Sequence, residues 1–216
     1  MSPVLASFPL LLDGLRVTLQ LAVGGILIAL VLGVVVAVLR VSPLPPLRFL
    51  GACYVEFLRN TPLLAHMFFW VFGLPFVGIR LPEFTGALLA LGFYTSAFVA
   101  EAVRAGILSI NRGQIEAARS LGLTYAQTMR QVTLPQALAI TVPPLGNLAI
   151  AATKNTSVAS AVLVTELMYQ GQVVNARTFA TYETFGLVGA MYLVLTLPLA
   201  KAVSMLEARL TRYRGA

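Results

Sequence analysis

Three short stretches of this chain carry side chains whose types and spacing can do chemistry. In the first, Ala151-Ala152-Thr153-Lys154-Asn155-Thr156-Ser157, an ammonium, an amide and three hydroxyls interrupt an apolar run. Such groups are expensive in hydrocarbon unless they face a protein interior or an aqueous cavity. Lys154, Asn155, Thr156 and Ser157 are therefore candidates to line a path for a polar solute. A purely structural use of the same charge is equally open: Lys154 can pair with Glu166 or with helix carbonyls. The second stretch is Asn60-Thr61-Pro62. Pro62 lacks a backbone donor and its ring disturbs the preceding turn, so polar groups near Asn60 and Thr61 need protein or water partners. This is either a structural kink alone or a kink that also lines the path. The third is the run from Glu116-Ala117-Ala118-Arg119 to Gly122, within a polar, basic interruption between apolar regions. No phosphate-binding G-x-x-x-x-G-K-[ST], H-E-x-x-H or G-x-S-x-G pattern occurs. One cysteine and one histidine exclude an internal disulfide and a metal site built on paired histidines. The chemistry on offer is recognition and transmission, not bond making.

The elements that must position these residues follow from composition. Of 216 residues, 58% are hydrophobic and 11% charged, which makes the chain a polytopic membrane protein. Windows nearly free of charge and long enough for a bilayer core of about 30 Å predict five helical spans, near 15–39, 53–74, 84–103, 136–163 and 184–206. The fold class expected is all-α, in one transmembrane domain over 1–216. A net charge of +7 can suggest nucleic acid, but its distribution argues against it. Most arginines fall on one side of a five-span topology, including Arg40, Arg48, Arg104, Arg112, Arg119, Arg130, Arg209 and Arg212, against Arg16, Arg80 and Arg177 on the other. The positive-inside rule then places the C-terminus and the loop at 104–135 in the cytoplasm and the N-terminus outside.

Local expectations complete the frame. Gly14 opens the first span, and Gly24, Gly25 and Gly33 allow close helix approach in lipid. The prolines between Arg40 and Arg48 keep that segment non-helical, and Pro143-Pro144 breaks the fourth span. Glu56 with Arg59 and Glu101 with Arg104 form pairs at the membrane boundary. Cys53 is a small buried apolar residue, His66 a packed helix residue, and 165–183 an outer helical segment near a docking surface. The basic end at 207–214 lies against an anionic inner leaflet.

The loop has a physical reading of its own. Helix formers from Glu116 to Leu121 run into Gly122, a natural stop, and Thr124 can cap a second helix from Tyr125. Two short helices meeting at a glycine elbow result. Small Ala117 and Ala118 permit close approach of another protein, and Glu116 and Arg119 fix register; an ordinary solvated hairpin is the alternative.

The spacing carries further. Glu116-Ala117-Ala118, three residues, Gly122, nine residues, then Val132-Thr133-Leu134-Pro135 resembles the E-A-A, G, I-x-L-P loop of permease subunits of binding-protein-dependent ATP-binding-cassette importers, with Val132 for Ile. The segment from Glu56 to Leu64 resembles E-L-L-R-G-T-P-L-L of amino-acid permease subunits, with Asn60 for Gly. Lys154-Asn155-Thr156-Ser157 resembles their Lys-Asp-Thr/Ser-Ser, with Asn155 for Asp. Ser109-Ile110 and Arg112-Gly113-Gln114 before the loop fit the polar amino-acid subclass, and the likeness covers about 18–210. It implies a type I importer fold and a bacterial cytoplasmic (inner) membrane location. It also implies a coupling surface at Glu116, Ala117, Ala118, Arg119 and Gly122, and a substrate path through Asn60, Thr61, Lys154, Asn155, Thr156 and Ser157. The implied partners are ABC ATPase subunits, which use ATP and Mg, a second identical or paralogous permease subunit, a periplasmic or lipid-anchored solute-binding protein, membrane lipid and an amino-acid substrate. No cofactor is expected on this chain, which is a translocation subunit and not an enzyme. Asn155 in place of a carboxylate leaves Lys154 free to favour anions, so glutamate, aspartate and their amides are expected over arginine, lysine or histidine. A secondary transporter or channel without an ATPase, and a non-transporting membrane scaffold, remain the other classes.

Overall fold

The computed structural model describes residues 3–212, the last four by backbone alone, and every regular element among them is helical. The expected basic tail runs past this range, since Tyr213 and Arg214 lie outside the described residues. A short α1 (Pro3–Ala6) leads into α2 (Phe8–Arg40), whose 33 residues are about 50 Å long at 1.5 Å per residue, more than a bilayer core. Pro9 sits in the first turn of α2, where a missing N–H costs nothing, so the helix starts well before Gly14.

The turn after Arg40 is shorter than expected. α3 (Pro45–Arg59) begins on its own prolines, which are pre-set for a first helical turn. The expectation of a non-helical segment up to Arg48 is corrected on that ground. α3 buries Gly51, Val55 and Leu58 and leaves Phe49, Leu50 and Phe57 exposed. Cys53 lies on this outward face and is exposed, not buried. The chain then breaks at Asn60-Thr61-Pro62 and turns by 102° into α4 (Leu63–Phe68), which continues as π and 3-10 turns to Val77.

α5 (Glu83–Leu108) is the most buried span and packs along α2 over the longest contact of the fold. After the short helices α6 (Arg112–Ser120) and α7 (Tyr125–Thr128) comes a π turn at Met129–Thr133, then α8 (Leu134–Asn155) and a 3-10 segment, Thr156–Val162. Pro143 and Pro144 do not break α8, which stays helical through both. Each removes one N–H donor, so the carbonyls four residues back, at Ala139 and Ile140, lose that partner, while the Thr141 hydroxyl bonds the carbonyls of Ala137 and Leu138, one turn before it. α9 (Leu167–Thr178) and α10 (Thr181–Arg212) complete the chain. Among the described residues four helical runs are long and apolar enough to cross a membrane, and the bent pair from Pro45 to Val77 makes a fifth if it is counted as one span.

The core falls into three layers along α2. Leu11 packs with Leu167, Val174 and Val188, Leu21 with Leu63, Met67, Leu91 and Val162, and Ala29, Val36 and Ala37 with Val55, Val103 and Ile107. In lipid such contacts depend on close packing more than on expulsion of water. Gly33 makes one of the closest approaches: a Cβ there would lie 2.4 Å from Val99 Cγ1 and 2.9 Å from the Ser96 carbonyl oxygen. Gly33→Ala is therefore expected to cost about 2–3 kcal/mol by overpacking and to lower Tm in detergent by roughly 5 °C. Gly186→Ala, where a Cβ meets nothing within 4 Å, serves as the control. Equal melting of the two variants would refute the packing argument.

Candidate functional site

The polar loop forms a rigid elbow. Asn111 caps α6 by accepting the Gly113 N–H at 2.8 Å, and the helix ends in a paired closure, Leu123 N–H to the Ala118 carbonyl and Gly122 N–H to the Arg119 carbonyl. That closure needs a left-handed residue, and Gly122 supplies it at φ 84°. Thr124 then caps α7 reciprocally: Gln127 N–H donates to its hydroxyl and Thr124 N–H donates to Gln127 Oε1 at 2.9 Å. Glu116, Ala117, Arg119 and Gly122 are exposed together, while Ala118 is buried against the chain's own body. Ala118 is thus a foot of the elbow, and Leu121, 84% exposed, stands at its tip.

Two features mount the elbow on the bundle. Tyr125, which sequence reasoning did not single out, donates its hydroxyl to the Val41 carbonyl at 3.2 Å, tying α7 to the turn between α2 and α3. The π turn comes next: Leu134 N–H reaches back five residues to Met129, just before Pro135, which has no N–H to give. Below α6 a cavity of about 280 Å³ is lined by Ile107, Ile110, Ile115 and Met129, with Arg112 and Arg119 at its wall.

At the same end of the bundle, Glu101 bonds both Arg104 and Arg40. The expected pair is therefore a triad, which clamps α5 to the end of α2. Glu56 and Arg59 do not pair. Glu56 accepts from the Asn60 amide at 3.1 Å, because the turn at 60–62 folds that amide back, and Arg59 lies over the Phe98 ring at 5.5 Å.

The candidate path residues are brought near one another by α5. The Thr61 hydroxyl donates to the Phe57 carbonyl and accepts from His66 Nε2 at 2.6 Å. His66 is buried and stacks toward Tyr94, with ring centres 6.0 Å apart. Tyr94, with Phe98 and Leu148, also lines a cavity of about 230 Å³ that contains Asn155. A second cavity of about 350 Å³ shares Phe98 and Leu148 and adds Arg59, Glu101, Pro144 and Asn147. Together they form a groove from Asn155 to Arg59 along α5 and α8. Tyr94 and Phe98, four residues apart on one helix face, have ring centres 5.2 Å apart, while Arg59 was expected only as a partner of Glu56 and Asn147 gave no signal of its own.

The remaining candidates are placed differently. Lys154 is exposed, its ammonium makes no hydrogen bond or ion pair among the described residues, and it does not line the groove. Thr156 is buried and donates to the Thr153 carbonyl, and Ser157 donates to the Lys154 carbonyl, so both hydroxyls serve the helical backbone. Asn60 is exposed and turned toward Glu56.

Glu166 does not pair with Lys154. It is fully buried at the N-cap of α9, where it accepts from Met168 N–H at 2.9 Å, Tyr169 N–H at 2.8 Å, the Tyr192 hydroxyl at 2.8 Å and the Thr18 hydroxyl at 3.3 Å. Burial pushes its carboxyl above the usual carboxylate range, and the four donors pull it part of the way back. Each buried bond left unmade there would cost about 1–3 kcal/mol.

Comparison with known proteins places this geometry in context. The family model described as "binding-protein-dependent transport system inner membrane component" matches residues 25–212. The probable glutamine ABC transporter permease protein GlnM of Bacillus subtilis (strain 168) is 47% identical, over 95% of each chain. The glutamate transport system permease protein GluC of Corynebacterium glutamicum is 37% identical, over 94% of each. A crystal structure of an amino acid ABC transporter with histidines superposes with a TM-score of 0.86 at 36% identity, covering 95% of this chain and 96% of that one.

Proposed function

This chain belongs to the family of binding-protein-dependent transport system inner membrane components and is an amino-acid ABC transporter permease, and from that premise we propose that it imports glutamate, aspartate or their amides by alternating access. Its fold is that of type I importer permeases, and it is a translocation component, not an enzyme. An ATPase and a solute-binding protein are its partners by family. In this reading the ATPase supplies ATP and Mg, and a second permease subunit, identical or paralogous, closes the path.

The loop at 104–135 and the C-terminus lie in the cytoplasm and the N-terminus outside, as the arginine distribution favours. The elbow residues Glu116, Ala117, Arg119 and Gly122 then face the ATPase, with Ala118 as their internal support. ATPase closure pushes the elbow, Tyr125 and the π turn carry the push to α3 and α8, and the bundle switches between two states.

The observation that carries the substrate class is the charge of the groove. Its one carboxylate among the lining residues, Glu101, is held by Arg40 and Arg104 and also feels the Arg59 charge, so one carboxylate faces three guanidinium groups and the groove with Asn147 and Asn155 keeps an excess of positive charge. Such a site favours a carboxylate and offers amides to a polar side chain, and it has nothing to neutralise a cationic one. GlnM and GluC, relatives with glutamine and glutamate in their names, support the same class. Arg59 joins Asn60, Thr61, Lys154, Asn155, Thr156 and Ser157 on the proposed path, in which Arg59 and Asn155 line the groove, Asn60 and Lys154 stand outside it, and the hydroxyls of Thr156 and Ser157 shape it.

The test is uptake of a labelled amino-acid panel into proteoliposomes holding this chain, its ATPase and its binding protein, with and without ATP on the ATPase side. Uptake of glutamate, glutamine or their shorter homologues only with ATP is expected. ATP-independent uptake would defeat the importer reading, and ATP-dependent uptake of arginine alone would defeat the charge argument.

A further inference from the structure

The Glu166 carboxylate joins three helices within one buried node. Two of its bonds come from the first N–H groups of α9, one from Tyr192 on α10 and one from Thr18 on α2. Thr18 closes the ring by accepting the Leu167 N–H at 3.1 Å. Glu166 is also tied to the 3-10 segment Thr156–Val162 that continues α8, because its N–H donates to the Val164 carbonyl at 2.8 Å and the Val164 N–H donates to the Ala159 carbonyl at 3.3 Å. Two backbone bonds therefore lead from the start of α9 to the segment that opens on Thr156, a residue of the proposed path.

The far end of α9 has the opposite character. Phe179 caps it in the left-handed region at φ 56°, a conformation that a bulky residue adopts only when the surrounding chain holds it. Phe179 is 88% and Tyr182 95% exposed, beside exposed Arg177 and Glu183. About 18 Å of helix connects this tip to the buried node.

We propose that Glu166 is a positioning residue that makes α9 and the 153–157 run move as one body, so that a binding protein seated on the tip between α9 and α10 acts on the residues that line the path. The inference rests on the importer reading and on α9 facing outward. The node is buried and its carboxylate is saturated with donors, so α9 cannot shift without α2 and α10 unless buried bonds are broken, and the backbone bonds between Ala159 and Glu166 carry the shift to the 3-10 segment. The charge is used to hold elements together; it does not touch the solute.

The experiment compares wild type with Glu166→Gln and Tyr192→Phe in the full complex, reading ATPase activity with and without solute-loaded binding protein, together with Tm. Basal ATPase and the binding-protein concentration for half-stimulation should stay within twofold, while maximal stimulation falls at least tenfold in Glu166→Gln and less in Tyr192→Phe. The double variant should be no worse than Glu166→Gln, since both act on one network. Undiminished stimulation, a change only in half-stimulation, or a parallel loss of basal activity and Tm would each overturn the proposal. Amide hydrogen exchange separates it from the importer reading, because it needs no transport. Glu166→Gln should raise exchange at 153–157 together with 167–170, and a rise confined to 167–170 would overturn the linkage even in a complex that transports normally.

Discussion

Gly122→Asp is expected to leave membrane insertion and assembly intact while lowering ATP-driven uptake by at least tenfold. The residue holds φ 84° between two short helices, and a Cβ there meets nothing within 4 Å. Loss cannot come from crowding. It comes from a left-handed backbone that costs a side-chain-bearing residue about 1–2 kcal/mol, and from a new charge at the tip of a surface built to meet another protein. Gly122→Asn separates these causes, since asparagine tolerates the same backbone without charge. Asn should retain most uptake if charge dominates and fall with Asp if geometry does. ATPase activity and uptake are measured on the same proteoliposomes, because uncoupling means that hydrolysis continues as transport fails. Normal uptake by the Asp variant would remove the elbow from the coupling role.

Asn155→Asp is expected to invert the amino-acid preference. A carboxylate about 5 Å from a substrate charge, at an effective dielectric of about 20, contributes roughly 3 kcal/mol, or about two orders of magnitude in selectivity. Asn155 lines the groove beside Tyr94 and Phe98, at the end away from Arg59. A zwitterionic substrate can therefore keep its carboxylate near Arg59 while its side chain meets position 155. The variant should gain arginine or lysine uptake and lose glutamate. Competition against labelled glutamine in wild type and variant gives the ratio. An unchanged ratio would mean that residue 155 does not meet the side chain, and would move the specificity to Asn147 or to the partner permease subunit.

The elbow was legible in the sequence because it is local. Asn111, Gly122, Thr124 and Gln127 each satisfy backbone groups within three or so residues of themselves, so their identities dictate the turn. The bend at Pro62 was legible for the same reason. Proline was a weaker guide where context competes. At Pro45 it starts a helix, and at Pro143 and Pro144 a long span absorbs it.

Charges were the hardest to assign. Glu56 and Arg59, three apart, looked like a pair, yet each found a better partner, Asn60 in the turn and Phe98 on another helix. Lys154 and Glu166 looked complementary, but the N-terminus of α9 and two hydroxyls from other helices took the carboxylate. Ala118 could not be told from Ala117 by type, and only the packing of α6 turned one inward and the other out.

The sequence by itself therefore determined the class of protein, its all-helical fold and the shape of the elbow at Gly122, since hydropathy, capping and turn chemistry act over a few residues. Only the tertiary structure decided which side chains share a groove and which carboxylate is held by whom. Those outcomes depend on long-range contacts, such as Thr18 with Glu166 across 148 positions and Arg40 with Glu101 across 61, that no local pattern encodes.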